Sequence, residues 1–182
     1  EVVNIDTFSS AIDKAKDTVE KLYSRKVAKG SISEQEKAEI LGRLTYSEDF
    51  NDVKGAFLIV EAVPEKIEIK KETFKKVDQI ADPDSIIVSN TSGLSISEIA
   101  SVTNRSHKVM GAHFFYPAPV MKLLELVRGL VTSDDTYETV KQYAEKIGKT
   151  TVDAPEFPGF MVNRILVPMQ NEAAFMVMEG RK

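Results

Sequence analysis

The chain has 182 residues, 42% hydrophobic and 29% charged, with nine Gly, seven Pro and no Cys; this composition argues against disorder, collagen-like repeats and a coiled coil. Twenty-four Lys and Arg against 28 Asp and Glu leave a net charge of −4, so no basic field favours nucleic acid, and the lack of Cys removes disulfides, thiolate nucleophiles and sulfur-ligated metals. No apolar run approaches the ~18 residues of a membrane helix and no secretory leader is expected, so neither a membrane nor a metal centre is anticipated and a reducing cytoplasm is the expected compartment.

Val2–Ile5 reads as a strand ending at Asp6, followed by a helix with Phe8, Ala11, Ile12, Ala15, Val19, Leu22 and Tyr23 on one stripe that stops near Gly30. Ser33 and Glu36 form a capping-box signature for a short helix carrying Ile40 and Leu41. Residues 56–60 read as the next strand, Pro64 as the first residue of a helix running to about Ile80, Asp82-Pro83-Asp84 as a turn, and residues 86–88 as a third strand. Ser95 and Glu98 cap a short helix through Ala100; residues 108–112 and 123–127 read as strands, 134–147 as a helix ending at Gly148, and 150–153 as extended. The final helix, from Gly159 to about Gly180, is apolar around most of its circumference and demands burial by partners. Short β-branched runs alternating with helices define an α/β class with a mostly parallel sheet.

Glu125 is the sharpest anomaly, a carboxylate inside Leu123-Leu124-Glu125-Leu126-Val127, where an unpaired buried charge is costly. Either it pairs with His113, one short segment upstream, and orients that imidazole for general acid/base work, or it faces solvent on an edge strand and His113 is a core residue. His107, among polar neighbours, reads as surface. Lys70 lies three residues after Ile67 and four before Phe74, on the apolar stripe of its helix. It either snorkels or turns toward a polar ligand at the strand ends, where Glu61 and Glu65 also lie. Asn163 is a polar residue in an apolar helix, serving either a structural bond or a ligand. Lys21, Arg25 and Lys29, with Lys26 beside them, form a basic stripe that is either a solvated face or a phosphate contact. Asp6 suits an ordinary turn or the ribose of a dinucleotide.

The segments Ser89-Asn90-Thr91-Ser92, Gly111-Ala112-His113-Phe114-Phe115 with Pro117, Met121-Lys122-Leu123-Leu124-Glu125, and Pro158-Gly159-Phe160-Met161-Val162-Asn163-Arg164 together resemble the 3-hydroxyacyl-CoA dehydrogenase family, especially its 3-hydroxybutyryl-CoA members. The resemblance runs in order through nearly the whole chain. It implies a Rossmann-type, doubly wound, mostly parallel sheet lacking its first strand in an NAD-binding domain over residues 1–154. Residues 155–182 would open an all-α C-terminal domain that supplies a homodimer interface. The implied activity is NAD-dependent oxidation of an L-3-hydroxyacyl-CoA to the 3-ketoacyl-CoA, or the reverse. By the same resemblance His113 is the base, Glu125 its partner, Ser92 a hydrogen-bonding group for the substrate oxygen and Asn163 a substrate contact. Glu65, Lys70, Ser92 and Tyr116 would line the nicotinamide side, Asp6 would hold the adenosine ribose, and Lys26 and Lys29 would sit near the CoA phosphates.

Tyr116 stands where family members commonly carry Asn or Ser. The Gly-rich fingerprint expected about 20 residues before Asp6 lies outside the sequence, so poor NAD affinity and an exposed sheet edge are expected of this polypeptide by itself. Three rival readings follow: a related 3-hydroxyacid dehydrogenase, a non-catalytic remnant that binds acyl-CoA or a partner subunit, and a chain completed by a second polypeptide.

Overall fold

Two sheets form in the computed structural model, which describes residues 1–181, and each belongs to its own unit, Glu1–Gly55 or Ala56–Lys182. In the first unit β1 (Val2–Ile5) pairs in parallel with β2 (Leu44–Ser47). Between them run α1 (Ser9–Ala28) and α2 (Glu34–Leu41). Gly30 ends the α1 segment at φ +67°, a conformation that costs a residue without Cβ little. The expected capping box is present, with Glu36 N donating to Ser33 Oγ and Ser33 N donating to the Glu36 carboxylate. Strand β2 is absent from the sequence reading. Its four residues hold a single aliphatic side chain, so its extended state comes from pairing with β1 and not from a hydrophobic pattern.

The second unit carries β3 (Leu58–Glu61), β4 (Ile86–Ser89), β5 (Val109–Phe114), β6 (Leu123–Arg128) and β7 (Thr150–Ala154) in that spatial order. All neighbours are parallel except β5 and β6, which run antiparallel. The helices are α3 (Ile67–Ile80), α4 (Ile96–Ala100), α5 (Asp134–Lys146) and α6 (Val162–Met178). Strand alternation sorts the side chains into two faces. Ile86, Val88, Met110, Ala112, Leu124 and Leu126 pack with Tyr137, Val140 and Ala144 of α5 to make the core. His113, Glu125 and Gly111 belong to the opposite face. A Cβ on Gly111 would lie 2.9 Å from Ile96 Cδ1 and from Val127 Cβ, so glycine here lets α4 close on the sheet two residues before His113.

The α/β class and the mostly parallel strand order match the expectation. Three details differ. The strand expected at 56–60 is displaced to Leu58–Glu61. Helix α3 starts at Ile67, and Pro64 sits in the preceding turn, its carbonyl accepting from Lys66 N at 2.7 Å. Helix α6, whose sequence calls for burial, buries no residue among those described; Ile165, Val177 and Met178 are 69%, 73% and 80% exposed.

Candidate functional site

Antiparallel pairing of β5 with β6 places His113 directly opposite Glu125. Such cross-strand partners share a face, and here His113 Nδ1 lies 2.7 Å from Glu125 Oε2. Glu125 has no exposed surface, which excludes the solvent-facing alternative. Its second oxygen, Oε1, accepts from Met161 N at 3.0 Å and Val162 N at 2.9 Å, the two amides that open α6. Helix-start amides carry partial positive charge and lack intrahelical acceptors, so they stabilise the ionised carboxylate. A carboxylate only accepts, so Nδ1 is the donor and Nε2 becomes the nitrogen with a free lone pair. Nε2 has no partner among the described residues. Phe115 and Phe160 flank the imidazole, with ring centroids 4.6 Å and 5.8 Å away.

The entry to α6 is built to reach this pair. Gly159 takes φ +78°, and Phe160, 1% exposed, takes φ +47°. For a residue with a Cβ the left-handed region costs about 1–3 kcal/mol and persists where the surroundings over-determine it. The aromatic body fills the space beside His113 while the next two amides turn onto Glu125. A Cβ on Gly93 would stand 2.7 Å from Gly159 N, so the loop after β4 and the α6 entry are in close backbone approach.

A second polar cluster lies at the carboxyl ends of β3 and β4. Lys70 is 1% exposed, so it neither snorkels nor turns outward to a ligand. Its ammonium donates to Glu61 Oε1 at 2.8 Å and Val63 O at 3.2 Å and stands 3.4 Å from Glu65 Oε2. Glu61 also accepts from Val63 N at 2.6 Å and Ser89 Oγ at 2.6 Å. Glu65 Oε1 in turn accepts from Thr91 Oγ1 at 2.6 Å and Ser92 N at 2.7 Å. Partial burial pushes the Glu65 carboxyl up, but donation from Thr91 and Ser92 and the Lys70 ammonium outweigh it and hold the group below the usual carboxylate range. The chain thereby fixes the backbone of Ser92 and leaves that residue exposed. Asn90 Oδ1 accepts from Phe114 N at 2.8 Å, tying the same loop to the residue after His113.

The other residues singled out by the sequence lie apart from these two clusters or at their margins. Asn163, in the first turn of α6, is half-buried and not enclosed, contrary to a buried polar residue in an apolar helix. Tyr116 is 94% exposed, three residues past His113. Asp6, Lys26 and Lys29 belong to the first unit. Asp6 Oδ1 accepts from Phe8 N at 3.0 Å, and the turn this makes leaves the carboxylate half-buried at the end of β1. Lys26 and Lys29 are exposed at the end of α1, with the Lys26 ammonium 5.0 Å from the Tyr23 ring. His107 is exposed, as expected. The sequence places Glu61 near Lys70 at a strand end without assigning it as that lysine's partner, and the amides of Met161 and Val162 leave no mark in a sequence.

Residues 1–157 match the sequence profile of the domain described as 3-hydroxyacyl-CoA dehydrogenase, NAD binding domain. The chain is 45% identical over 162 residues to a probable 3-hydroxybutyryl-CoA dehydrogenase of Bacillus subtilis, covering 89% of this chain and 56% of the relative. It is 45% identical over 170 residues to a 3-hydroxybutyryl-CoA dehydrogenase of Clostridioides difficile, covering 93% of this chain and 60% of the relative. The crystal structure of (S)-3-hydroxybutyryl-CoA dehydrogenase PaaH1 from Ralstonia eutropha superposes with a TM-score of 0.95 at 40% identity, over 100% of this chain and 64% of that one. FadB2 of Mycobacterium tuberculosis superposes with a TM-score of 0.96 at 36% identity, over 100% of this chain and 65% of that one. The chain thus spans less than two thirds of the length of these relatives.

Proposed function

The chain belongs to the 3-hydroxyacyl-CoA dehydrogenase family and carries its NAD-binding domain, and from that premise we propose that it serves NAD-dependent oxidation of an L-3-hydroxyacyl-CoA, such as 3-hydroxybutyryl-CoA, to the 3-ketoacyl-CoA. The observation that carries this reading is the 2.7 Å contact between His113 Nδ1 and a fully buried Glu125, with Nε2 unengaged. Nε2 takes the proton from the substrate 3-hydroxyl while hydride leaves C3, and Glu125 stabilises the imidazolium that results. NAD, when bound, would supply the acceptor for that hydride. In the reverse direction His113 returns the proton to the carbonyl oxygen.

The exposed Ser92, held through its backbone by Glu65, bonds the same substrate oxygen, and Asn163 and Tyr116 contact the ligands from the α6 entry and the β5–β6 loop. Lys70 acts from behind, its enclosed ammonium holding the exposed Glu65 on the nicotinamide side of the pocket. The residues fit the cofactor. Asp6 presents a half-buried carboxylate after a parallel strand, as ribose recognition requires. Lys26 and Lys29 offer exposed cations for CoA phosphates.

We place the boundary between an NAD-binding and a helical domain at 154/155, and read the exposed apolar face of α6 as part of a homodimer or interdomain contact. None of the helices described is long and apolar enough to cross a membrane, and a Cys-free composition suits the cytoplasm.

The test is NADH formation from L-3-hydroxybutyryl-CoA by the native full-length protein, rather than by this polypeptide by itself, compared with His113→Ala. Turnover in the parent and a fall of about 10²–10⁴-fold in the variant, with NADH affinity retained, is the expected result. Binding of acyl-CoA without turnover in the parent would overturn it in favour of a ligand-binding role.

A further inference from the structure

We propose that Glu156 is a positioning residue for the His113–Glu125 pair, acting by docking the entry of α6 onto the start of α4; the proposal rests on the dehydrogenase reading above. Glu156 sits between Pro155 and Phe157, four residues before Phe160, in the connection from β7 to α6. Its Oε1 accepts from Ser97 N at 2.6 Å and Ser95 Oγ at 2.8 Å, and its Oε2 accepts from Ser97 Oγ at 2.5 Å. Ser97 Oγ accepts in turn from Leu130 N at 2.8 Å, so the anchor joins three connections: β4 to α4, β6 to α5 and β7 to α6.

The need for an anchor follows from what lies downstream. Phe160 holds a left-handed conformation unfavourable for a side chain with a Cβ, and Gly159 is pressed against Gly93. A segment strained in this way relaxes if one end is released, and the hydrogen bonds from the Met161 and Val162 amides to Glu125 Oε1 are the first to open. Glu156 fixes the upstream end and Glu125 receives the downstream end. Without Glu156 the carboxylate that orients His113 loses two of its three donors, and the imidazole loses its fixed direction.

The experiment compares the native full-length protein with its Glu156→Ala, Glu156→Gln and Ser97→Ala variants, measuring kcat and KM with acetoacetyl-CoA and NADH, and amide hydrogen exchange. Expected for Glu156→Ala is a kcat lower by about 10- to 100-fold, the loss that small misplacement of a reacting group produces, with both KM values within about twofold. Exchange should accelerate at Met161 and Val162 while Met110 and Leu126 stay protected. Gln keeps an acceptor for Ser97 N and should restore kcat to within about threefold. The double variant Glu156→Ala/Ser97→Ala should show less than the summed loss of the two single variants, because the two residues share the Ser97 Oγ–Glu156 contact.

An unchanged kcat in Glu156→Ala, or kcat and KM moving together with the two amides still protected, overturns the proposal. Should Glu156→Ala fail to fold, the double variant Ser95→Ala/Ser97→Ala, which removes both hydroxyl donors to Glu156, decides by amide exchange: faster exchange at Met161 and Val162 supports the proposal, and exchange at the parent rate overturns it. A native full-length parent without turnover defeats the dehydrogenase reading, and amide exchange in the variants still decides whether Glu156 holds the α6 entry.

Discussion

Glu61 and Glu125 are both carboxylates enclosed within one sheet, yet they are satisfied in different ways. Glu61 faces the Lys70 ammonium together with a serine hydroxyl and a backbone amide, and every one of these donors is fixed. Glu125 faces two backbone amides and an imidazole whose other nitrogen is unengaged. A buried carboxylate saturated by fixed donors is a strut. One whose last acceptor is filled by an imidazole has a partner that gains and loses a proton, and burial makes its fixed charge count more, because low local polarity strengthens the interaction.

The contrast is broken most forcefully at Glu125. Glu125→Gln replaces the acceptor facing Nδ1 with an amide that can donate, so the wrong tautomer becomes available and turnover falls by about 10²–10⁴-fold in steady-state assays. Lys70→Met strands Glu61 in a buried site and costs about 3–5 kcal/mol in urea unfolding, and the double variant Lys70→Met/Glu61→Leu recovers most of that stability. If the single Lys70 variant were as stable as the parent, the strut description would be wrong.

Gly111→Ala tests the shared platform. The added methyl meets Ile96 and Val127 at 2.9 Å, and overpacking of this kind costs about 1–3 kcal/mol, read as a shifted urea midpoint. The smallest effect concerns a third carboxylate, Asp153, which accepts from the Tyr137 hydroxyl. Burial, the bond to Asp153 and that carboxylate's charge push the Tyr137 phenol from 10.0 up to about 12. Below pH 10 folded and unfolded chains both keep the proton and the contribution is intact. Between pH 10 and about 12 the unfolded chain gives it up first, so stability is lost as pH rises through that window. Tyr137→Phe should flatten this alkaline loss in pH-dependent unfolding, sharpening the view that Asp153 is a passive partner outside the physiological range.

Much of this was legible in the sequence because the relevant residues violate a local pattern. Glu125 interrupts an aliphatic strand and Lys70 interrupts an apolar helical stripe, and each such violation demands a partner. Glu61 violates nothing, since a carboxylate at a strand end is ordinary, and its burial comes from Lys70 folding back over it from α3. The amides of Met161 and Val162 belong to the backbone and carry no residue signal. Strand β2 lacks a hydrophobic alternation of its own and depends on β1. For α6 the sequence states a need for burial that nothing among the described residues meets.

The central claim is that Glu125 holds His113 with Nδ1 protonated and Nε2 free. Nitrogen-15 NMR of the histidine-labelled full chain reads this directly, because the only other histidine, His107, is exposed and serves as an internal reference. The account predicts that the neutral form of His113 is the Nδ1–H tautomer, with Nε2 at the shift of an unprotonated nitrogen, and that Glu125→Gln abolishes this preference. A His113 spectrum showing the Nε2–H tautomer, or averaging like that of His107, would contradict it.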